Sequence, residues 1–218
     1  MNCPLEKASV TFRAVTVRRA ERGPRMRTSG AILNAAIVVL GQRPSAPLRD
    51  IAAAAGVSCT TLHRYFAERS DLIRAMALHL RRVSLDGIRL ADPDHGLPLD
   101  AFRRVVETQL DLGPAMLYIY TEPVVRESAS LLAHIDSCDG PVAAALNKVA
   151  PRHATVPAGW VRRVFWSLLC VGCRAIQTDG IPRQLIVDVI VDTLIHGLVS
   201  GPGYVQLSRL SQPTSNAH

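Results

Sequence analysis

The sequence predicts an all-α chain, and three observations lead there. Apolar residues recur at the three-and-four spacing of an amphipathic helix, as in Ile32, Leu33, Ala36, Val39 and Leu40. No segment sustains the period-two alternation, bounded by hairpin turns, that a half-buried strand needs. Glycine and proline gather in short breaks of the kind that punctuate helices, at Gly113-Pro114, Asp139-Gly140-Pro141, 151–157 and Gly180-Ile181-Pro182.

Taken in order, these signals divide the chain into four stretches. Residues 1–26 are basic and lack steady periodicity, which predicts a flexible arm. Residues 27–90 form an Ala/Leu/Ile-rich helical domain broken by short turns. A loop at 91–98, with two Pro, a Gly and two Asp, marks the boundary. Residues 91–201 carry longer helical patterns, and 202–218 form a polar tail containing Pro202, Gly203 and Pro213.

Composition narrows the setting. With 218 residues, 48% of them hydrophobic, the chain can bury a sizeable core and is not wholly disordered. No apolar segment reaches the ~20 residues of a membrane-spanning helix, so no membrane partner is expected. The basic start is followed by no apolar core of a secretory signal, although an Arg-rich, acid-poor start also fits an organellar transit peptide. Five unpatterned cysteines (Cys3, Cys59, Cys138, Cys170, Cys173) suit reduced thiols, and a cytoplasmic setting is expected. The net charge of +7 is uneven. Residues 1–90 hold 15 Lys/Arg against 6 Asp/Glu, whereas 91–218 hold 10 against 12. An anionic partner therefore belongs at the N-terminal end, and nucleic acid is the commonest.

The most informative segment runs Leu48-Arg-Asp-Ile-Ala-Ala-Ala-Ala-Gly-Val-Ser-Cys-Thr-Thr-Leu-His-Arg-Tyr-Phe66. Leu48, Ile51, Ala52 and Ala55 share one face of a short helix, and Gly56 stands where that helix must end with positive φ. Val57 enters the core, Ser58 caps a second helix from Cys59, and Leu62 and Phe66 face back toward the first. Two short helices over a glycine turn describe a helix-turn-helix, whose second helix enters the major groove by its N-terminal end. Cys59, Thr60 and Thr61 occupy that end. His63 and Arg64 turn away from the core face, and Arg64 suits a guanine edge. Arg69 is placed to hold a phosphate, with Ser70 beside it as a helix cap. The alternative is an ordinary pair of bundle helices with no DNA nearby.

At these residues the chain resembles the TetR family of bacterial transcriptional regulators. The resemblance runs through Thr28-Ser-Gly-Ala-Ile-Leu-Asn-Ala-Ala36, Arg49-Asp-Ile-Ala52, Ala55-Gly-Val-Ser58, Thr61-Leu62, Tyr65-Phe66 and Asp71-Leu72, roughly the N-terminal third. It implies that Cys59, Thr60, Thr61 and Arg64 face bases. His63 replaces a phosphate-contacting Tyr, and Arg69 replaces a Lys at the start of the fourth helix. Ser45, in Ser45-Ala46-Pro47, stands in for a capping Thr before the second helix. It further implies a homodimer on a palindromic double-stranded DNA operator, acting as a repressor released by a small-molecule effector. The basic arm before Thr28 would add phosphate or minor-groove contacts.

The C-terminal half is less explicit. Trp160–Thr178 and 183–200 read as two long helices, and the resemblance assigns them to a four-helix bundle across a two-fold axis. The second places Leu185, Ile186, Val189, Ile190, Thr193, Leu194, Gly197 and Leu198 on one side, with Gly197, Ser200 and Gly201 allowing close approach. Leu110, Met116, Tyr118, Tyr120, His134, Phe165, Trp166 and Gln177 mix apolar surface with sparse polar groups, as an effector pocket lining would. Asp188, Asp192 and His196 form a stripe that suits a divalent ion, but such a stripe is ordinarily a solvated face, and no metal is assigned. Cys170-Val-Gly-Cys173 lies within a predicted helix and reads as buried thiols. No nucleotide-binding, metalloprotease or nucleophile-elbow motif is present, so neither catalysis nor a cofactor is expected. The competing function is a helical ligand-binding or interaction module whose DNA motif has decayed, supported by His63 and the altered cap before Leu48.

Overall fold

The computed structural model describes residues 23–137, 139–149 and 159–199. Among these every regular element is helical, as the sequence predicts. The arm (through residue 22), the 151–157 break, Cys3, Cys138, Ser200, Gly201 and the 202–218 tail lie outside the described residues, as does the Leu198 side chain.

Helix α1 (Pro24–Gln42) starts four residues before Thr28, with Pro24 in the first turn, where its missing N–H costs nothing. Its buried face, with Ile32, Ala36 and Leu40, packs on α2 (Leu48–Ala54), and α2 in turn packs on α3 (Cys59–Tyr65). Arg25 therefore belongs to a helix rather than to the expected arm. Helix α4 (Arg69–Ala91) follows, 23 residues long, burying Leu72, Ile73, Met76 and Leu80. Its N-cap is Glu68, whose N–H donates to Asp71 Oδ2 at 3.2 Å, so Ser70 is inside the helix and does not cap it.

The boundary loop is where the composition placed it. Helix α4 ends at Ala91, and α5 (Pro98–Gln109) begins at Pro98. Arg104 organises the loop by donating to the carbonyls of Ala91 (2.7 Å), Asp92 (2.9 Å) and His95 (2.8 Å). A single 3₁₀ turn (Leu110–Leu112) leads into α6 (Gly113–Thr121), then α7 (Pro123–Arg126), α8 (Ala129–Asp136) and α9 (Asp139–Val149). Asp139-Gly140-Pro141 thus opens a helix instead of lying between two. Helices α10 (Trp160–Asp179) and α11 (Arg183–Val199) match the two long stretches read from sequence.

One continuous apolar core runs through both halves, because α6 packs on α1 and α4 on one side and on α10 on the other. Two close approaches set that arrangement. A Cβ on Gly113 would lie 2.6 Å from the Cys170 nitrogen and the Leu169 carbonyl carbon, so only glycine lets α6 begin against α10. A Cβ on Gly172 would lie 2.6 Å from Ile186 Cγ2, which brings α10 and α11 together.

Helix α11 departs from its expected orientation. Val187, Ile190, Val191 and Leu194 point inward, whereas Leu185 and Val189 are about half exposed, at 53% and 52%. With Val171 of α10, also exposed, they leave an apolar face open on the outside of α10 and α11. The helix is apolar nearly all round, so periodicity could not choose between its faces.

Candidate nucleic-acid interface

The helix-turn-helix builds from local rules. Ala55 closes α2, and Gly56 follows at φ +67°. The Gly56 N–H then donates to Ala53 O (3.1 Å) and the Val57 N–H to Ala52 O (3.0 Å), the paired bonds of a Schellman turn. Ser58 caps α3 as predicted, its Oγ accepting from the Thr61 N–H at 3.1 Å and donating to Thr61 Oγ1 at 2.9 Å. Leu62 and Phe66 are buried in the same apolar core as Ile51 and Ala52 of α2.

That packing presents the opposite face of α3 outward. Cys59, Thr60, His63 and Arg64 are exposed and Thr61 is half-buried. His63 donates through its Nδ1–H to the Ala67 carbonyl at 3.2 Å, which fixes its ring to the end of α3. Arg25 and Tyr65 were missed by sequence reasoning. The guanidiniums of Arg25 and Arg64 lie 5.9 and 5.8 Å from the centre of the Tyr65 ring, and the three side chains line one cleft. Among the described residues neither arginine pairs with a carboxylate, so two positive charges meet solvent together. Arg25 was legible only as one basic residue among many; its helical placement is what brings it to α3.

Two expected contacts turn out otherwise. Ser45 does not cap α2: the N-cap is Pro47, which has no side-chain acceptor. Asp50 in the first turn supplies negative charge there instead and pairs with Arg43 at 3.1 Å. Arg69 does not extend toward a phosphate. Its guanidinium folds back to donate to Ala46 O and Pro44 O, each at 2.7 Å, and to Tyr118 Oη at 3.3 Å. Carbonyls left unpaired by the tight loop between α1 and α2 recruit it.

In the C-terminal half Leu110, Met116, Tyr118, Phe165 and Trp166 come together in the core, Phe165 and Trp166 edge-on with ring centres 5.1 Å apart. Tyr120 is half-buried, its hydroxyl donating to Asp136 Oδ1 at 3.0 Å while Arg162 lies over its ring at 5.2 Å. His134 and Gln177 are exposed, the latter donating to Cys173 Sγ at 3.2 Å, so the structure does not gather them with the others. Burial pushes the Cys173 thiol up to about 11, in keeping with the buried-thiol reading of Cys170 and Cys173. Asp188 pairs with Arg103 at 2.9 Å and Asp192 with His196 at 2.9 Å, and no metal-binding cluster occurs among the described residues. No helix described here is long and apolar enough to cross a membrane.

Known proteins share this arrangement. Residues 32–76 match the model of the bacterial regulatory proteins of the tetR family. The chain is 48% identical over 183 residues to the HTH-type transcriptional repressor LfrR of Mycolicibacterium smegmatis, covering 84% of this chain and 96% of that one. This chain belongs to the TetR family. The regulator is also 35% identical over 79 residues to the HTH-type transcriptional regulator NfxB of Pseudomonas aeruginosa, 36% of this chain and 42% of that one. Among solved structures, the TetR-like regulator LfrR from Mycobacterium smegmatis in complex with proflavine superposes with a TM-score of 0.71 at 46% identity, covering 82% of this chain and all of that one. A TetR family regulator from Marinobacter aquaeolei, 15% identical, superposes with a TM-score of 0.57 over 77% of this chain and 95% of that one and shows the shared fold. The regulator is a DNA-binding transcription factor of this family, not an enzyme.

Proposed function

We propose that this regulator is a homodimeric repressor that reads a palindromic operator and leaves it when a small aromatic cation binds the C-terminal half. The observation that carries the reading is the outward face of α3, set on a Schellman turn and flanked by two unpaired arginines, in a chain 48% identical to a repressor. Cys59, Thr60 and Thr61 would meet base edges, with Arg64 on a guanine. Arg25 would take a backbone phosphate, and His63 a second through its free ring nitrogen. The Tyr65 ring holds both arginines ready before DNA arrives.

The exposed apolar face of Val171, Leu185 and Val189 supports dimerisation through α10 and α11, and a two-fold dimer suits two half-sites one helical turn apart. LfrR has been crystallised with proflavine, a planar cation, which supports that ligand class here. Phe165 and Trp166 supply aromatic surface for it, with Leu110 and Met116 around them. This activity would be exercised in the cytoplasm. The decayed-motif alternative keeps His63 and the uncapped start of α2 in its favour; against it stand the Gly56 turn, the Ser58 cap and the buried Leu62, which make a complete helix-turn-helix.

The test is a binding series on duplexes selected from random DNA by the full-length protein. A palindromic consensus, a salt-dependent affinity and loss of discrimination in Arg64→Ala are expected. A protein that enriches no sequence, yet binds proflavine, would favour the ligand-binding module.

A further inference from the structure

Arg69 and Tyr118 were assigned from sequence to opposite tasks, one to DNA and one to the effector. They are hydrogen-bonded to each other across 49 residues. Arg69 is the first residue of α4 and fastens, with its other N–H groups, the carbonyls of Pro44 and Ala46 just ahead of α2. Tyr118 is on α6 and only 5% exposed. Its hydroxyl receives from Arg69, while burial and the nearby Glu122 carboxylate, where α6 gives way to α7, keep its proton on. A chain of hydrogen bonds thus runs from Tyr118 through Arg69 to Pro44 and Ala46, from the helix beside the aromatic core to the loop that enters the helix-turn-helix.

Nearby packing makes this contact sensitive to displacement. A Cβ on Gly41, near the end of α1, would lie 3.1 Å from the Ala115 nitrogen of α6, so the two helices touch backbone to backbone. Close-packed surfaces of this kind move together or separate; they do not stretch. A small shift of α6 therefore reaches the α1–α2 loop through two routes, a steric one at Gly41 and a polar one at Arg69. Only the polar route ends on the residues that set where α2 begins, because Pro47 provides no side-chain cap of its own.

We propose that the Arg69–Tyr118 contact is the positioning link through which α6 sets the placement of the helix-turn-helix, so that an effector acting on α6 alters DNA reading through it. This deepens the proposed effector response and rests on it for the last clause alone. Neither residue touches DNA or ligand in this role; both are positioning residues.

The experiment uses the full-length protein with Tyr118→Phe, Arg69→Gln, the double variant and the conservative Arg69→Lys. Amide hydrogen exchange over residues 48–65 is expected to rise about three- to tenfold in Tyr118→Phe, as befits loss of one charge-assisted bond, although residue 118 is on another helix. Operator affinity in the double variant should match that of Arg69→Gln, the mark of a shared link. Arg69→Lys should recover part of the protection. Unchanged exchange over 48–65, or affinity losses that add independently, would overturn the proposal. If a variant fails to fold, the exchange comparison between wild type and whichever single variant melts normally decides the matter. A separate arm uses proflavine as the probe. Tyr118→Phe should bind it with unchanged fluorescence titration yet release less DNA than wild type; equal release would refute the link. Failure of wild type to bind proflavine would count against the effector class proposed above, leaving the exchange and affinity arms to judge the link.

Discussion

Gly56→Ala isolates the backbone requirement of the turn between α2 and α3. A methyl group there would meet nothing within 4 Å, so no clash enters the cost. What remains is φ of +67°, a left-handed conformation that an L-alanine adopts at a cost of about 1–2 kcal/mol. For a chain of this size, each kcal/mol lowers the melting temperature by roughly 2–4 °C, so a fall of about 2–8 °C is expected. Gly56→Asn should lose less than Gly56→Ala, because asparagine tolerates the left-handed region. Circular-dichroism melts and urea titrations of the three proteins provide the measurement, with the urea slope expected to be unchanged. Equal losses in the Ala and Asn variants would point to a steric cause and refute the reasoning. So would an alanine variant as stable as wild type.

Other outcomes follow from neighbouring features. Gly113→Ala should cost more than Gly56→Ala, about 3 kcal/mol or above, since its methyl would meet backbone atoms of Leu169 and Cys170 that no rotamer can move; a thermal melt checks it. Arg25→Ala should weaken binding about equally on all sequences and flatten the salt slope by about one unit, as read in titrations from low to high salt. Val189→Asp should abolish the proposed dimer, seen in light scattering as a mass half that of wild type, and cost operator affinity far more than stability; an unchanged mass would count against pairing through this face. Alkaline pH should destabilise the fold. Burial raises the Cys173 thiol to about 11 from 9.0 and Tyr118 to about 12 from 10.0, the latter helped by Glu122. Groups raised on folding stabilise below their unfolded values, and that contribution is lost as pH climbs from about 9 through 12. Urea midpoints at pH 8 and pH 11 measure it.

The helix-turn-helix was legible because its determinants are neighbours. Gly56, Ser58, Leu62 and Phe66 lie within eleven residues and each obeys a local rule of turn, cap or face. The boundary loop was legible for the same reason. Arg69 was not, since its partners lie 23, 25 and 49 residues away and a side chain reaching backbone carbonyls leaves no pattern in sequence. Ser45 failed because the helix began two residues later than a polar cap would allow. In α11 the expected apolar side mixed two faces: Ile190 and Leu194 point inward, Leu185 and Val189 outward. Of the expected effector residues, the buried aromatics joined one core, whereas the polar His134 and Gln177 stayed at the surface. Polar groups offered to a ligand and polar groups offered to water look alike in sequence.

Helix α4 carries a consequence for building new regulators from this one. It starts in the DNA-reading unit and ends against α5, α6, α7 and α8, so the two halves have no severable tether. A graft that exchanges reading heads by cutting after Phe66 would leave α4 facing a foreign α1 and would strand Arg69 without its carbonyls. The cleaner seam is Asp92, the left-handed residue where α4 stops, provided the recipient keeps an arginine at position 104 to tie the loop. A chimera joined there inherits a whole lever along with its new specificity.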